Sequence, residues 1–251
     1  MAAVPISTPK NLFGKNLEKI IKGYSFCQLY HTIESMLYKN LILDTLFPKF
    51  CLSCQKEGDY LCQDCKAMLD ISGFHQKYAT KNLSDLYYPL SYRNKLCQNL
   101  IKKFKYEPFV KELALTLSSL IIEHFQMSDQ QSDFRDFILI PVPLAKKRLK
   151  WRGYNQAEEI GKHLAIFFQI PLINNALIKI KATLPQIELE KEKREENIKG
   201  AISVNPSTSL RARKILLVDD VYTTGATMEE AARVLKESGA KEIVGLVIAR
   251  D

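Results

Sequence analysis

The densest concentration of potentially reactive groups lies near the carboxyl end, in Lys214-Ile-Leu-Leu-Val-Asp-Asp-Val-Tyr-Thr-Thr-Gly-Ala-Thr227. An apolar run ends in two acids, followed by a short loop rich in Thr and Gly and then by a helical pattern. Ligands of open α/β sheets sit outside the carboxyl ends of the strands, which is where this loop falls. Gly225 allows the backbone to approach a ligand closely, and Thr223, Thr224 and Thr227 offer hydroxyl donors on either side of Ala226. A helix starting near Met228 would add free N–H groups. The loop is therefore suited to a phosphate. Asp219 and Asp220 beside it are suited to something hydroxylated and electropositive, and a sugar phosphate meets both requirements. The plainer alternative is a pair of aspartates ending a strand with no ligand.

A second strand-to-helix passage runs Ile140-Pro-Val-Pro-Leu-Ala-Lys-Lys-Arg-Leu-Lys-Trp-Arg-Gly-Tyr-Asn-Gln156. Between Leu144 and Gly153 it carries five cations and no acid, and it reads as a basic loop. Beside a diphosphate, Lys147, Arg148 and Arg152 would be attracted directly, arginine in bidentate fashion. With aromatics nearby (Trp151, Tyr154, Phe104, Tyr106), the same cations would suit single-stranded nucleic acid, whose bases stack on aromatic rings. Burial of those rings in the core is the competing reading, above all for Phe104.

Four of the six cysteines lie close together, Cys51-x-x-Cys54 and Cys62-x-x-Cys65. Two such pairs can place four thiolates around one ion, the usual structural zinc geometry with no open position for catalysis. Disulfides, which a reducing compartment disfavours, and a redox pair are the alternatives. Cys27 and Cys97 read as plain thiols, and the four histidines as surface or satisfied core.

Several elements must position these groups. Residues 1–35 read as a poorly ordered extension, and Met36 is a candidate true start. Residues 36–80 hold the four-cysteine segment, and residues 81–251 form the main domain. Within that domain, Lys81–Tyr92 reads as strand-like. Leu96, Leu100, Ile101 and Phe104 have helical spacing, and Leu113–Phe125 continues a second apolar stripe, with Pro108 suited to its first turn. Phe137–Val142 is a buried strand. Gln156–Phe168 is a helix with Asn155 as its cap and Glu158 completing a capping box. Leu172–Lys181 reads as a strand, Leu184–Lys199 as a charged loop, and Ile215–Val218 as a buried strand. Met228–Ser238 is a helix closed by Gly239, and Glu242–Ala249 is the last strand. This alternation predicts a parallel sheet with helices on its faces.

The Ile215–Thr227 block resembles the phosphoribosyl-pyrophosphate (PRPP) signature of type I phosphoribosyltransferases: four apolar residues, two acids, and a loop ending Thr-Thr-Gly-x-Thr. That resemblance implies that Asp219 and Asp220 hold the ribose hydroxyls as the catalytic carboxylates. It also implies that Thr223, Thr224, Gly225, Ala226 and Thr227 wrap the 5′-phosphate, and that Mg²⁺ rides on the pyrophosphate and ribose oxygens. Pro-x-Pro followed by cations and Arg-Gly-Tyr-Asn-Gln-Ala is similar to the ComF family. So are Thr183, Gln186, Leu189, Arg194, Asn197 and Gly200, and the Leu100–Tyr106 run. Lys179 and Lys181 stand where that family more often has arginine, Ile202 where it has Phe, and Gln55 where Gly often follows the cysteine pair.

The resemblance covers about residues 37–251. It implies a type I phosphoribosyltransferase-like fold with an N-terminal zinc segment and a cytoplasmic role in DNA uptake during natural transformation, handling single-stranded DNA. The alternatives are a true phosphoribosyltransferase of nucleotide salvage or related metabolism, a non-catalytic PRPP sensor, and a partner recruited by a competence helicase through the zinc segment. In the wider fold, a loop equivalent to Glu188–Lys199 closes over the ribose.

The chain has 251 residues, 46% hydrophobic and 25% charged, which excludes fibrous and wholly disordered classes. No apolar run reaches the length of a membrane span, and no secretory h-region is present. The net charge of +8 predicts anionic partners. Two segments, Arg93–Lys105 and Leu144–Gly153, each hold five basic residues and no acid, so the remainder of the chain is close to neutral.

Overall fold

The computed structural model describes residues 48–106, 108–128, 133–181 and 198–251. The extension, Met36, Cys27, His31 and the charged segment through residue 197 lie outside them, as do Thr183, Gln186, Leu189, Arg194 and Asn197. The chain divides into two units. In the described part of the smaller one, Phe50 bridges Glu57 antiparallel and the Gly58 N–H donates to the Lys49 carbonyl (2.9 Å). The larger unit comprises residues 51–56 and 60–251.

The larger unit begins with α1 (Gln63–Ala67), β1 (Asp85–Tyr87), β2 (Leu90–Ser91), α2 (Lys95–Lys105) and α3 (Leu113–Met127). Next come β3 (Phe137–Pro141), α4 (Lys146–Arg152), α5 (Gln156–Phe168), β4 (Leu177–Lys179) and β5 (Ile202–Val204). The chain finishes with β6 (Lys214–Val218), β7 (Val221–Tyr222), α6 (Ala226–Glu237), β8 (Glu242–Leu246) and β9 (Ala249–Arg250).

The central sheet has the order β1-β8-β6-β3, and every pairing is parallel. Strand alternation divides its side chains between two cores. Leu139, Leu216 and Val244 join residues of α2, α3 and α5 on one face. Ile138, Ile140, Ile215, Leu217 and Ile243 join α6 residues such as Met228, Ala231 and Leu235 on the other. A parallel sheet covered on both faces explains why its strands read as continuous apolar runs. Each fully buried Leu, Ile or Phe contributes roughly 1.5–3 kcal/mol. β2-β9-β7 forms a small parallel sheet, and β4 and β5 pair antiparallel.

Helix α2 shows how sequence becomes position. Asn94 accepts hydrogen bonds from the Leu96 and Cys97 amides (2.9 and 3.1 Å), satisfying two orphan donors of the first turn. Cys97, Leu100, Ile101 and Phe104 form its buried stripe. Its cations crowd the last turn, where the carbonyl ends of the helix favour positive charge.

The structure corrects several local expectations. Pro108 does not open α3; the Phe109 and Val110 amides close a turn back onto Tyr106 and Lys103, with Phe109 at φ +55°, and the helix starts later. The basic passage is not a loop. It winds into α4, which buries none of its residues and ends at Gly153 in the left-handed region, φ +80°. Asn155 caps α5 as expected, but Glu158 turns away to accept from Asn174 and to pair with Lys162, so no capping box closes. The Leu172–Lys181 passage keeps only β4 as a strand, with an isolated bridge from Leu172 to Leu139. The expected final strand breaks after Leu246, where Val247 and Ile248 carry the chain across to the small sheet.

Candidate functional site

The carboxyl end of β6 leads into the acid pair. The Asp219 amide still donates to the Leu246 carbonyl (3.1 Å), and the Asp220 amide donates to the Asp219 side chain (2.9 Å). From Asp220 the chain crosses into β7 and reaches the Thr-Gly loop. Gly225 stands at φ +79° as the cap of α6, and a Cβ there would collide with the Tyr222 hydroxyl. Glycine is required at this position on both counts. The Thr224 hydroxyl accepts from the Ala226 amide (3.4 Å), while Ala226 and Thr227 form the first turn of α6.

A cavity of about 770 Å³ lies over this edge. Asp219, Asp220, Thr223 and Thr227 line one side, Arg148, Trp151 and Arg152 of α4 another, and Lys102, Lys105 and Tyr106 from the end of α2 a third. Lys179 of β4 also reaches it. Arg148 and Arg152 therefore share a cavity with the acid pair, whereas Lys147 is exposed and lies outside the lining. Arg152 Nη1 donates to Gln156 Oε1 (3.0 Å), and its guanidinium lies 5.4 Å from the centre of the Tyr106 ring. Arg152 Nε is buried without a hydrogen-bond partner.

The electrostatics are uneven across the two acids. Burial, followed by the charge of Asp220, pushes the Asp219 carboxyl up to about 7, with Lys105 and Lys179 pulling the other way. Asp220 forms an ion pair with Lys105 Nζ at 2.8 Å, their side chains 10% and 22% exposed. Burial opposes the charge on Lys105, but the Asp220 carboxylate outweighs it and holds the ammonium above its ordinary range. Burial and neighbouring Arg148 bring Lys179 down to about 8. Burial, then Arg152, likewise lowers Arg148.

The second constellation is the cysteine quartet. The sulfurs of Cys51, Cys54, Cys62 and Cys65 all lie within 4.8 Å of one another, and no other candidate metal cluster occurs among the described residues. A tetrahedral ion with bonds of ~2.3 Å sets its sulfurs ~3.8 Å apart, so the arrangement fits a four-thiolate metal. Burial alone raises the Cys51 thiol, yet amides of Cys54, Cys62 and Ser53 donating to its sulfur bring it down to about 6. Gln55 sits at φ +64°, the left-handed conformation that favours the glycine often found after such a pair. The Leu52 carbonyl accepts from Asn99 of α2 (3.0 Å), tying the quartet to that helix.

Residues 163–251 match the family model described as phosphoribosyl transferase domain. Over 113 residues the chain is 39% identical to Competence protein F of Haemophilus influenzae, covering 45% of this chain and 49% of that protein. Over 107 residues it is 36% identical to Competence protein ComFC of Bacillus subtilis, covering 42% and 40%. Over those stretches the chain is similar to the ComF competence proteins. DNA utilization protein YhgH of Salmonella typhimurium is 27% identical over 133 residues, covering 53% of this chain and 58% of that protein. The chain thus spans about half the length of the curated relatives it matches. Among solved structures, the glutamine PRPP amidotransferase of B. subtilis complexed with ADP and GMP superposes with a TM-score of 0.33 at 18% identity. It covers 54% of this chain and 25% of that one. Purine phosphoribosyltransferase of Pyrococcus horikoshii gives 0.30 at 16% identity, covering 56% and 82%.

In this protein the Arg-Gly-Tyr-Asn-Gln segment does more than supply a cation. Buried Tyr154 donates its hydroxyl to the Phe104 carbonyl (2.6 Å), and Gln156 Nε2 donates to the same oxygen (3.2 Å). Asn155 both caps α5 and donates to the Val142 carbonyl (3.0 Å). Sequence reasoning missed this role and the Lys105–Asp220 pair, because both depend on contacts between segments far apart in the chain. Phe104 and Tyr154 are buried, so of the aromatics considered for stacking, Trp151 alone is well exposed, at 55%. No helix among the described residues is long and apolar enough to cross a membrane.

Proposed function

We propose that this cavity binds a phosphorylated ribose, PRPP with Mg²⁺ being the ligand of best fit, and that the protein serves DNA uptake in the cytosol. One observation carries the reading: a single cavity brings together Asp219, Asp220, Thr223, Thr227, Arg148 and Arg152. The acids take the ribose hydroxyls. The loop Thr223–Thr227 and the first amides of α6 take the 5′-phosphate. Arg148 and Arg152 take the diphosphate by forked charge-assisted contacts. When bound, Mg²⁺ neutralises charge on the diphosphate and orients it.

In transfer, an acceptor would attack the anomeric carbon while the bond to pyrophosphate breaks and its electron pair leaves on the pyrophosphate oxygen. The carboxylates would stabilise the cationic ring in passing. Asp220→Asn tests the assignment by calorimetry with PRPP, with binding expected to be lost; undiminished affinity would refute it. Pyrophosphate release in the presence of nucleobases, amines or oligonucleotides decides between transfer and sensing.

The outer side of α4 supports a second reading, single-stranded DNA binding, because exposed Trp151 stands among Lys146, Lys147 and Lys150. Oligonucleotide affinity should then fall steeply with salt. The quartet is read as a structural zinc site that holds its segment against α2, the surface through which a helicase partner would be engaged.

A further inference from the structure

Lys105 is the one cation of α2 in contact with the acid pair, and its position is fixed from behind. The carbonyl of the preceding residue, Phe104, receives both the Tyr154 hydroxyl and the Gln156 amide. The Phe104 ring is fully buried, tilted against Tyr154 with centroids 5.5 Å apart. One residue earlier, the Lys103 carbonyl accepts from the Val110 amide (3.1 Å). The last turn of α2 is thus held on both sides, and the ammonium that leaves it meets Asp220 Oδ1 at 2.8 Å.

The other groups facing the acids are arranged differently. Tyr92 and Lys102 approach from the side of α2, Arg148 and Arg152 from α4, Lys179 from β4, and Asp251 from the carboxyl terminus. Of these, Lys179 acts on Asp219 through its charge, whereas Lys105 makes a direct ion pair with Asp220. Two adjacent carboxylates at the edge of an apolar sheet cannot both stay ionised without a counter-charge.

We propose that Lys105 is the internal counter-ion of the acid pair: held in place by Tyr154 and Gln156, it pairs with Asp220 and keeps that side chain aimed into the cavity before a ligand arrives. It is a positioning residue, acting on the ligand through Asp220. The inference rests on the ribose-phosphate reading for its ligand but not for its electrostatics. Lys105 already works against the upward shift of Asp219, so its removal should let the pair retain a proton to higher pH.

The experiment compares wild type, Lys105→Met, Lys105→Arg and Tyr154→Phe, each checked by circular dichroism. PRPP affinity is followed by calorimetry across the range from about pH 5.5 to about pH 9, in parallel with carbon-13 NMR titration of aspartate carboxyls in the free protein. Wild-type affinity is expected to fall as the pH drops through about 7, where Asp219 takes up its proton. Lys105→Met should raise both midpoints by about one pH unit or more, Lys105→Arg should restore them, and Tyr154→Phe should raise them by less. Should Lys105→Met not fold, Lys105→Gln and Tyr154→Phe carry the same comparison. Unchanged carboxyl midpoints in the variants overturn the inference. Absence of PRPP binding by wild type at every pH overturns the ribose-phosphate reading instead, and the carboxyl titration then decides the role of Lys105 by itself.

Discussion

The two ends of α2 meet two different kinds of polar constellation. Near its amino end, Asn99 holds the knuckle of the cysteine quartet, whose four candidate ligands come from one short stretch of chain. At its carboxyl end, Lys105 enters a cavity assembled from α2, α4, β4 and the loop after β6. Thiolates gathered locally can be closed around an ion by local turns. A cavity that must exchange a large anion needs opposing walls, and distant segments supply them. The first arrangement is suited to holding structure, the second to binding and release.

Metal removal should separate the two ends most sharply. A structural zinc contributes on the order of 10 kcal/mol in small domains, so Cys65→Ser or a strong chelator should melt the 51–71 segment. A melting temperature lower by about 10 °C or more, with the metal-to-protein ratio falling from one to zero, is the expected result. An unaltered melt would mean that packing against α2 suffices without the ion.

Next in size, Gly225→Ala imposes a left-handed alanine and a clash with Tyr222 at the phosphate loop. PRPP affinity should fall about 100-fold, roughly 2.7 kcal/mol, while the quartet keeps its metal. Loss of metal together with affinity would show that the two regions fold as one unit.

Within the cavity, Arg148→Ala and Arg152→Ala should each weaken PRPP binding about tenfold. Lys147→Ala, exposed and outside the lining, should change it by less than about twofold. Equal losses at all three would mean that net charge, rather than the walls of the cavity, governs binding.

The smallest effect belongs to the quartet. Gln55→Gly relieves a left-handed side chain at a cost in unfolded-state entropy and should stabilise the knuckle by about 0.5 kcal/mol. Chelator resistance should rise slightly, and a decrease would show that the Gln55 side chain itself supports the turn.

Much of the architecture was legible from local pattern. The buried strands β3 and β6 announced themselves as apolar runs, and α5 was found at its observed limits, because burial on both faces and helical spacing leave periodic marks. The start of α3 and the helical state of the basic passage were not legible. Pro108 suited a first turn, but the amides after it are used to close α2, and a run of cations reads as solvated loop whether or not it winds.

The chain itself determined which groups are available: four thiols at metal-ligating spacing, two adjacent acids after a strand, and a Thr-Gly loop before a helix. These are neighbours along the backbone, so covalent geometry already brings them together. The tertiary structure alone decided which cations answer the acids. Arg148, Arg152, Lys179 and Lys105 reach the cavity while Lys147 does not, and it is Lys105 that pairs with Asp220. Charge attraction falls off with distance through space and takes no account of sequence separation, so that choice belongs to the packing of α2 and α5 around Phe104 and Tyr154.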